Sequence, residues 1–459
     1  MSNVIDYGAI GDGVADDTEA ILHTLEAGDG TLQFSAGNYL ITRTIPIRLD
    51  RTGRFSIDGC GGSTKILMAG AGPAFHLIGG HHQSADPTSF STDIWTNQRM
   101  PTIQHLEIEG KHPDADGFWI EGTMQSTLVG ILLRELRNGI HIRQHARNVL
   151  ISHCHIYHNR GVGVFLDSVN LHQAIIANSH ISYCLQGGIK VINSEIRNLH
   201  ITGNDIEYNY DVKADISADI WIDSSQDHSS VREGSIVSNT VQANYSPGGA
   251  NILMIGHHPE KSHKAGMFTI SGNLIGSQET NVNLIACRGV VVSGNVIYSG
   301  HLRNLQVNGS RNIVIGQNTF DHNPDYEPNQ LCTGIRLVDS SNCTFNGSII
   351  QDCQSGQHTV PGSKPITRNG LLEIINCQRI NVNGCQILDG YPNGIYVERS
   401  KDVIVSSCNI LDTRKEPKTE FSVQWTGPGN GNFLTNNRLQ TQAEVDLNSG
   451  VLQTNNVFG

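Results

Sequence analysis

At 459 residues, with 38% hydrophobic and 16% charged side chains, the chain is too apolar for a disordered segment and long enough for one large domain or two to three ordinary ones. No apolar run approaches the roughly 18–20 residues that a bilayer-spanning helix needs, which excludes such a helix. A net charge of −12 without any basic cluster argues against nucleic acid as a partner, although a local groove can override a global charge.

The N-terminus, MSNVIDYGAIGDG, lacks a charged-then-apolar leader, so the sequence carries no signal peptide of that type. The stretch DDTEAILHTLEAG then predicts a short amphipathic helix, with Asp16 or Asp17 near its start and Gly28 near its end. GTLQFSAGNYLITRTIPI predicts the opening strands. Together, residues 1–50 read as a cap with entry strands. The GDGVADD string lacks the twelve-residue spacing of a calcium loop and belongs to that cap. Residues 79–101 form a loop long enough to build a binding wall, and it carries His81, His82, Asp93 and Trp95.

From about residue 103 a short pattern recurs: an apolar residue, two small or polar residues, then Asn, Ser or Cys, then another apolar residue two places on. It runs ISHCHI, IANSHI, ITGNDI, IVSNTV, ISGNLI, VSGNVI, IGQNTF, FNGSII, VNGCQI, VSSCNI and LTNNRL. Its fourth positions, from Cys154, Ser179 and Asn204 to Asn437, are spaced 22 to 37 residues apart, as a coil with loop insertions would be. A second pattern interleaves with it: GFWIEG, GIHIR, GVFLD, GIKVI, DIWID, NILMI, NVNLI, NLQVN, GIRLV and GIYVE. Each coil therefore holds at least two short strands around a tight corner, where stacked side chains can hydrogen-bond along the axis. With 49 glycines and only 14 prolines, this is an all-β parallel β-helix, a solenoid with a short N-terminal capping helix, read as one domain over 1–459 with regular coils at 103–459. Most of the ten cysteines sit inside the strand pattern, and no CxxC pair occurs, so they read as buried thiols rather than bridges.

The string VIDYGAIGDGVADDTEAI followed by GTLQFSAGNYLI resembles the opening segment of the pectate-lyase-like (pectin-lyase-like) right-handed parallel β-helix superfamily. That resemblance implies a right-handed coil and a carbohydrate-active enzyme. The group includes polygalacturonases, lyases, intramolecular fructan-transferring enzymes and phage tailspike depolymerases. It also implies a secreted or extracellular protein and a homo-oligomer, with trimers frequent among the relatives. The polygalacturonase motifs do not carry over. Asp116 stands where that family's first aspartate would, without the preceding Asn-Thr. The next strand, NGIHIR, matches Arg-Ile-Lys only loosely, and neither a paired Asp-Asp nor Gly-His-Gly occurs.

Alternate strand residues face opposite ways, so the apolar positions mark which neighbours face outward. Between the apolar positions lie Trp119, His141, Phe165, Lys190, Trp221, Leu253, Asn283, Gln306, Arg336 and Tyr396. The next position holds Glu121, Arg143, Asp167, Ile192, Asp223, Ile255 and Asn308. Aromatic and ionisable groups crowd the strands from Trp119 to Asp223, and beyond Ile255 the row reads as bland. Asp167 and Asp223 stand two coils apart, roughly 9–10 Å between backbones, close to the roughly 6.5–9.5 Å carboxylate spacing of an inverting glycosidase.

The expectation is a glycoside hydrolase-like enzyme acting on a polysaccharide or oligosaccharide. Asp167, Asp219 and Asp223 are its candidate acid and base, and Lys190 supports them. Trp119, Glu121, His141, Arg143, Trp221 and Arg336 are expected to bind substrate, the tryptophans by offering flat faces to sugar rings. No cofactor is expected. Intramolecular glycosyl or fructosyl transfer would use the same carboxylates. A lyase acting on a uronate polymer would instead need a base and a cation or Ca²⁺, with Arg143, Lys190 and Arg336 as the available cations. A non-catalytic, tailspike-like glycan-binding protein would keep the tryptophans and tolerate loss of every carboxylate. His155, His180 and Asp205 form a column that stacked surface polar residues explain without a metal. His257, His258 and His263 read as a solvated loop.

Overall fold

The computed structural model describes residues 2–83, 88–89, 91–257, 263–325, 331–353 and 368–459. They fall into two compact units, residues 1–211 with 217–235, and residues 212–216 with 236–459. Each is a stack of coils whose strands pair in parallel. Among the described residues no helix is long and apolar enough to cross a membrane.

The first unit opens with the expected cap. Helix α1 (Thr18–Ala27) buries Thr18, Ile21 and Thr24 and ends at Gly28. Asp16 accepts the Thr18 backbone N–H at 3.0 Å, which satisfies a free donor of the first turn. Buried Asp17 accepts the N–H groups of Ile10 and Gly11 at 2.6 and 3.1 Å, tying the GDGVADD string to the helix start.

Five successive strands then build one wall: β1 (Ala115–Met124), β2 (Ile140–Ser152), β3 (Val162–Ala177), β4 (Gly187–Ile192) and β5 (Ser217–Asp223). Their alternation is the one the sequence predicts. Phe118, Ile140, Val164, Ile189 and Ile220 stack inward in register, as do Ile120, Ile142, Leu166, Val191 and Ile222, all fully buried. Burying each such side chain contributes about 1.5–3 kcal/mol, so a one-residue slip would expose a whole column and bury its polar neighbours.

The Asn/Ser/Cys corners are buried and hydrogen-bonded from coil to coil. Each side chain accepts the backbone N–H of the same corner one coil earlier: Ser179 from Cys154 at 3.1 Å and Asn204 from Ser179 at 3.0 Å. The residue before the corner is left-handed, with φ of 55° at His153 and 67° at Gly203, which explains the recurrent glycine at that place.

The second unit repeats the scheme. Strands β6 (Thr280–Ile285), β7 (Arg303–Asn308), β8 (Ile335–Val338), β9 (Leu372–Ile375) and β10 (Asn393–Glu398) pair in order. Here the corner ladder is mostly asparagine. Asn273 accepts from both the backbone N–H and the side-chain amide of Asn239, at 2.9 and 3.0 Å, and Asn295 serves Asn273 in the same way. All ten cysteines are free thiols and nine of them are buried, as expected from their place in the strands.

Candidate functional site

The outward residues of β1–β5 form two adjacent columns in the first unit. One runs His76, Trp119, His141, Phe165, Lys190, Trp221, and the other Ile78, Glu121, Arg143, Asp167, Ile192, Asp223. Strand register alone therefore brings together eight of the ten sequence-predicted site residues.

A buried carboxylate anchors the upper end of the columns. Asp116, with no exposed surface, accepts the Trp119 indole N–H at 2.8 Å, the Asn138 backbone N–H at 2.8 Å and the Arg137 Nε at 3.0 Å. It fixes the indole plane instead of reaching solvent. The Arg143 guanidinium lies 5.0 Å from the centre of that ring, and the edges of His76 and His141 meet it at 5.6 and 5.7 Å between centroids. Glu121 accepts from Gln144 at 3.0 Å and lies 3.1 Å from His76 Nε2. Burial lowers the His76 pKa against the pull of Glu121, so this contact is a neutral hydrogen bond near pH 7.

The lower half holds a closer group of ionisable side chains. His141 is only 8% exposed and stacks on Phe165 at 4.8 Å, with Nε2 3.2 Å from Asp167 Oδ2. Burial lowers its pKa and the Asp167 contact opposes this, which keeps the ring neutral at physiological pH. The Ser168 hydroxyl donates to the other Asp167 oxygen at 2.9 Å. One coil on, the Lys190 ammonium lies 3.9 Å from the centre of the Trp221 ring. Its pKa is lowered by burial, while Asp223 and Asp167 both act to raise it, so the lysine feels both carboxylates. Asp223 accepts only the Ser225 backbone N–H at 2.9 Å among its described hydrogen bonds, which leaves its outer oxygen for a ligand.

Two predicted residues are not in this row. Asp219 is 1% exposed and accepts the backbone N–H and side-chain amide of Asn209 at 2.9 and 3.0 Å. By alternation it falls on the same face as Trp221 and Asp223, but at the start of the strand its carboxylate closes a buried corner, so the expected catalytic role is replaced by a structural one. Arg336 belongs to the second unit, on β8.

The sequence reading also needs correction beyond Ile255. Leu253 stands at an outward register position but is 1% exposed. Further on, the row is not bland. It runs Asn283, Gln306, Arg336, Glu373, Tyr396, and Glu373 was missed because Leu371 stands where the other strands open with a glycine or a polar residue. His76 was missed because its strand, Gly72–Ile78, lay in the part read as cap and loop, although FHLI carries the same alternation.

In the 79–101 loop, Asp93 accepts from Asn97 and Gln98, and Gln98 accepts the Gly80 N–H at 2.7 Å, so the described part of the loop is folded onto itself. His81 is buried 6.5 Å from His145, which with burial pushes its pKa down to about 4. His258 lies outside the described residues. His155, His180 and Asp205 do align across three coils, yet among the described residues no group of three or more His, Cys, Asp or Glu is arranged to hold a metal. A cavity of about 430 Å³ lies at the cap, lined by Leu22, Leu25, Pro46 and Arg48 among others.

Comparison with known proteins bears first on the fold. The pre-mature form of bacteriophage phi29 gene product 12 superimposes with a TM-score of 0.55 at 15% identity, over 98% of this chain and 57% of that one. The A-module of an Azotobacter vinelandii mannuronan C-5 epimerase aligns over 100% of this chain and 99% of its own at 15% identity, with a TM-score of 0.39. Tailspike protein 3 of bacteriophage CBA120 aligns over 99% and 61% at 11% identity, with a TM-score of 0.45. No curated protein sequence matches. The family model for rhamnogalacturonase A/epimerase, pectate lyase-like, matches residues 1–71, the segment that carries the sequence resemblance. The model for the right-handed beta helix region matches residues 94–236 and 220–410, and the chain belongs to that family.

Proposed function

We propose that the chain is a carbohydrate-active enzyme that cleaves glycosidic bonds with Asp167 and Asp223 as its carboxylate pair. The observation that carries this reading is the triad itself: two carboxylates on one outward column, two coils apart, with the Lys190 ammonium in the field of both. A separation of roughly 9–10 Å between backbones leaves room for a water between carboxylates, the geometry of an inverting hydrolase. Asp167, which accepts from His141 and Ser168, acts as base on that water. Asp223 has a single backbone donor and is the acid that protonates the leaving oxygen. Trp119 and Trp221 stand at the two ends of the row as platforms for sugar rings. The match of residues 1–71 to a model named for a rhamnogalacturonase and an epimerase agrees with a sugar substrate.

A second reading has its own observation. Lys190 is packed on Trp221 and sheds its proton more easily than a free lysine, and His141 is neutral, so either can take a proton from the carbon beside a uronate carboxyl. A polysaccharide and oligosaccharide panel separates the readings. Saturated products, lost in Asp167→Asn and Asp223→Asn, support hydrolysis. Unsaturated products lost in Lys190→Met move the assignment to a lyase. Glycan binding without any product overturns both and leaves a non-catalytic glycan-binding protein.

A further inference from the structure

The second unit holds a charged cluster that the first unit's chemistry does not use. Its centre is Glu373, which is 2% exposed although it occupies an outward register position on β9. Glu373 Oε2 accepts from Arg303 Nη2 at 2.8 Å, and Oε1 accepts the Asn369 backbone N–H at 2.9 Å. Arg303 is equally buried, with its side chain 4% exposed, and it also donates to the Leu302 carbonyl at 2.8 Å. These two residues are a closed pair.

Arg336, directly beside Glu373 in the register, is left over. Its Nε lies 3.8 Å from Glu373 Oε2, beyond hydrogen-bond length. That nitrogen is buried and has no hydrogen-bond partner, while the side chain as a whole is 39% exposed. Among the described residues, three other carboxylates of this unit are committed elsewhere. Asp352 pairs with Arg368 at 2.7 Å and accepts from Cys332 and Cys353. Asp389 accepts from Gln351 and Thr413, and Glu398 takes the Tyr396 hydroxyl and Arg399.

A buried guanidinium N–H without an acceptor costs free energy that an incoming oxyanion would recover. The shape of the site says which oxyanion. A single arginine fork with one open edge suits a planar carboxylate, which it can bind through two parallel N–H bonds. Its neighbours in the row are hydroxyl-binding groups: Gln306 on one side, then Asn283, whose Oδ1 is buried without a partner, and Tyr396 beyond Glu373. One cation flanked by amides is the equipment for an acidic sugar. A polyphosphate would call for several cations.

We infer that Arg336, held in place beside the Arg303–Glu373 pair and flanked by Gln306, Asn283 and Tyr396, is a binding site for the carboxylate of an acidic monosaccharide unit. The site lies in the second unit and stands independently of the cleavage chemistry assigned to the first.

The test uses the full chain carrying Asp167→Asn and Asp223→Asn, so that turnover cannot consume the ligand. Glucuronate, galacturonate, mannuronate and sialate are titrated by ligand-observed NMR beside their neutral parents or methyl esters, with inorganic phosphate as a separate arm. At least one acid is expected to bind ~10-fold or more tightly than its neutral counterpart, as loss of a charge-assisted fork implies. Arg336→Gln should erase that difference, and Arg336→Lys should restore part of it. No preference for any acid overturns the inference. So does a preference that survives Arg336→Gln or that disappears in Arg143→Gln instead, and so does binding of phosphate alone. Because the readout is binding and not product, failure here leaves the assignment of the first unit to its own assay.

Discussion

The outward rows of β1–β5 and β6–β10 rest on the same alternation and the same parallel register, and they spend their polar groups differently. In the first unit Asp167, Lys190 and Asp223 are half-exposed, share contacts loosely and keep oxygens or protons open to solvent. In the second, Glu373 occupies a comparable place but is sealed against buried Arg303, and among the described residues Arg336 is the charge of that row that remains reachable. A loosely paired group can change protonation at small cost and is fit for chemistry. A sealed pair cannot, because removing either charge leaves the other buried, and it is fit for holding a neighbour in position.

That contrast can be broken by substitution. The largest expected effect is on turnover: Asp167→Asn or Asp223→Asn should each reduce product formation by ~10³-fold, within the range for general acid–base groups. Their unfolding free energies should shift by no more than about 0.5 kcal/mol, as for other surface positions. Retention of a tenth of the activity in either variant would remove that residue from the catalytic pair. Glu373→Ala should do the reverse in the second unit and lose about 4 kcal/mol in denaturant melts, since it strands buried Arg303. A loss below 1 kcal/mol would mean that the pair is not sealed in solution.

Lys190→Met is expected to lower turnover by ~10–100-fold while leaving stability nearly unchanged or raised, because a partly buried ammonium is removed from an aromatic face. Loss of folding would contradict the loose pairing. Asn273→Ala should cost about 1–3 kcal/mol, because the Asn239 N–H would be left buried and unpaired. A slope with pH is expected as well. His81 and His301 are both pushed down to about 4 by burial. Unfolded, they bind protons from about pH 6.5 downward, whereas folded they refuse them until about 4. Their stabilising contribution is therefore complete above pH 6.5 and is lost as pH falls through that window. An unfolding free energy that stays flat from pH 7 to 4 in the wild type, or that keeps its full slope in His81→Gln with His301→Gln, would contradict this.

Much of the molecule was legible from local pattern. The corner series from Cys154 to Asn437, the capping helix ending at Gly28 and the crowding of Trp119, His141, Asp167, Lys190 and Asp223 all follow from alternation and turn chemistry within a few residues. Other features were not legible. Asp219 has the outward phase of Asp223, but the Asn209 loop packs over it and takes its carboxylate into a buried corner. Glu373 is hidden in an apolar run, because Leu371 replaces the glycine or polar residue that opens the other strands.

What the sequence by itself determined is therefore whatever repeats: the coil, the phase of each strand, and which residues share a row. A period of two residues encodes facing directly in the chain. What only the tertiary structure decided is who partners whom across coils. Arg303 and Glu373 meet across a sequence separation of 70 residues, and Asp116 and Arg137 across 21. Such pairs depend on loop lengths that set how many residues each coil consumes, and no local pattern records the sum. Whether an outward charge is open or sealed is fixed by that stacking, and with it the difference between a group that can react and one that can only hold.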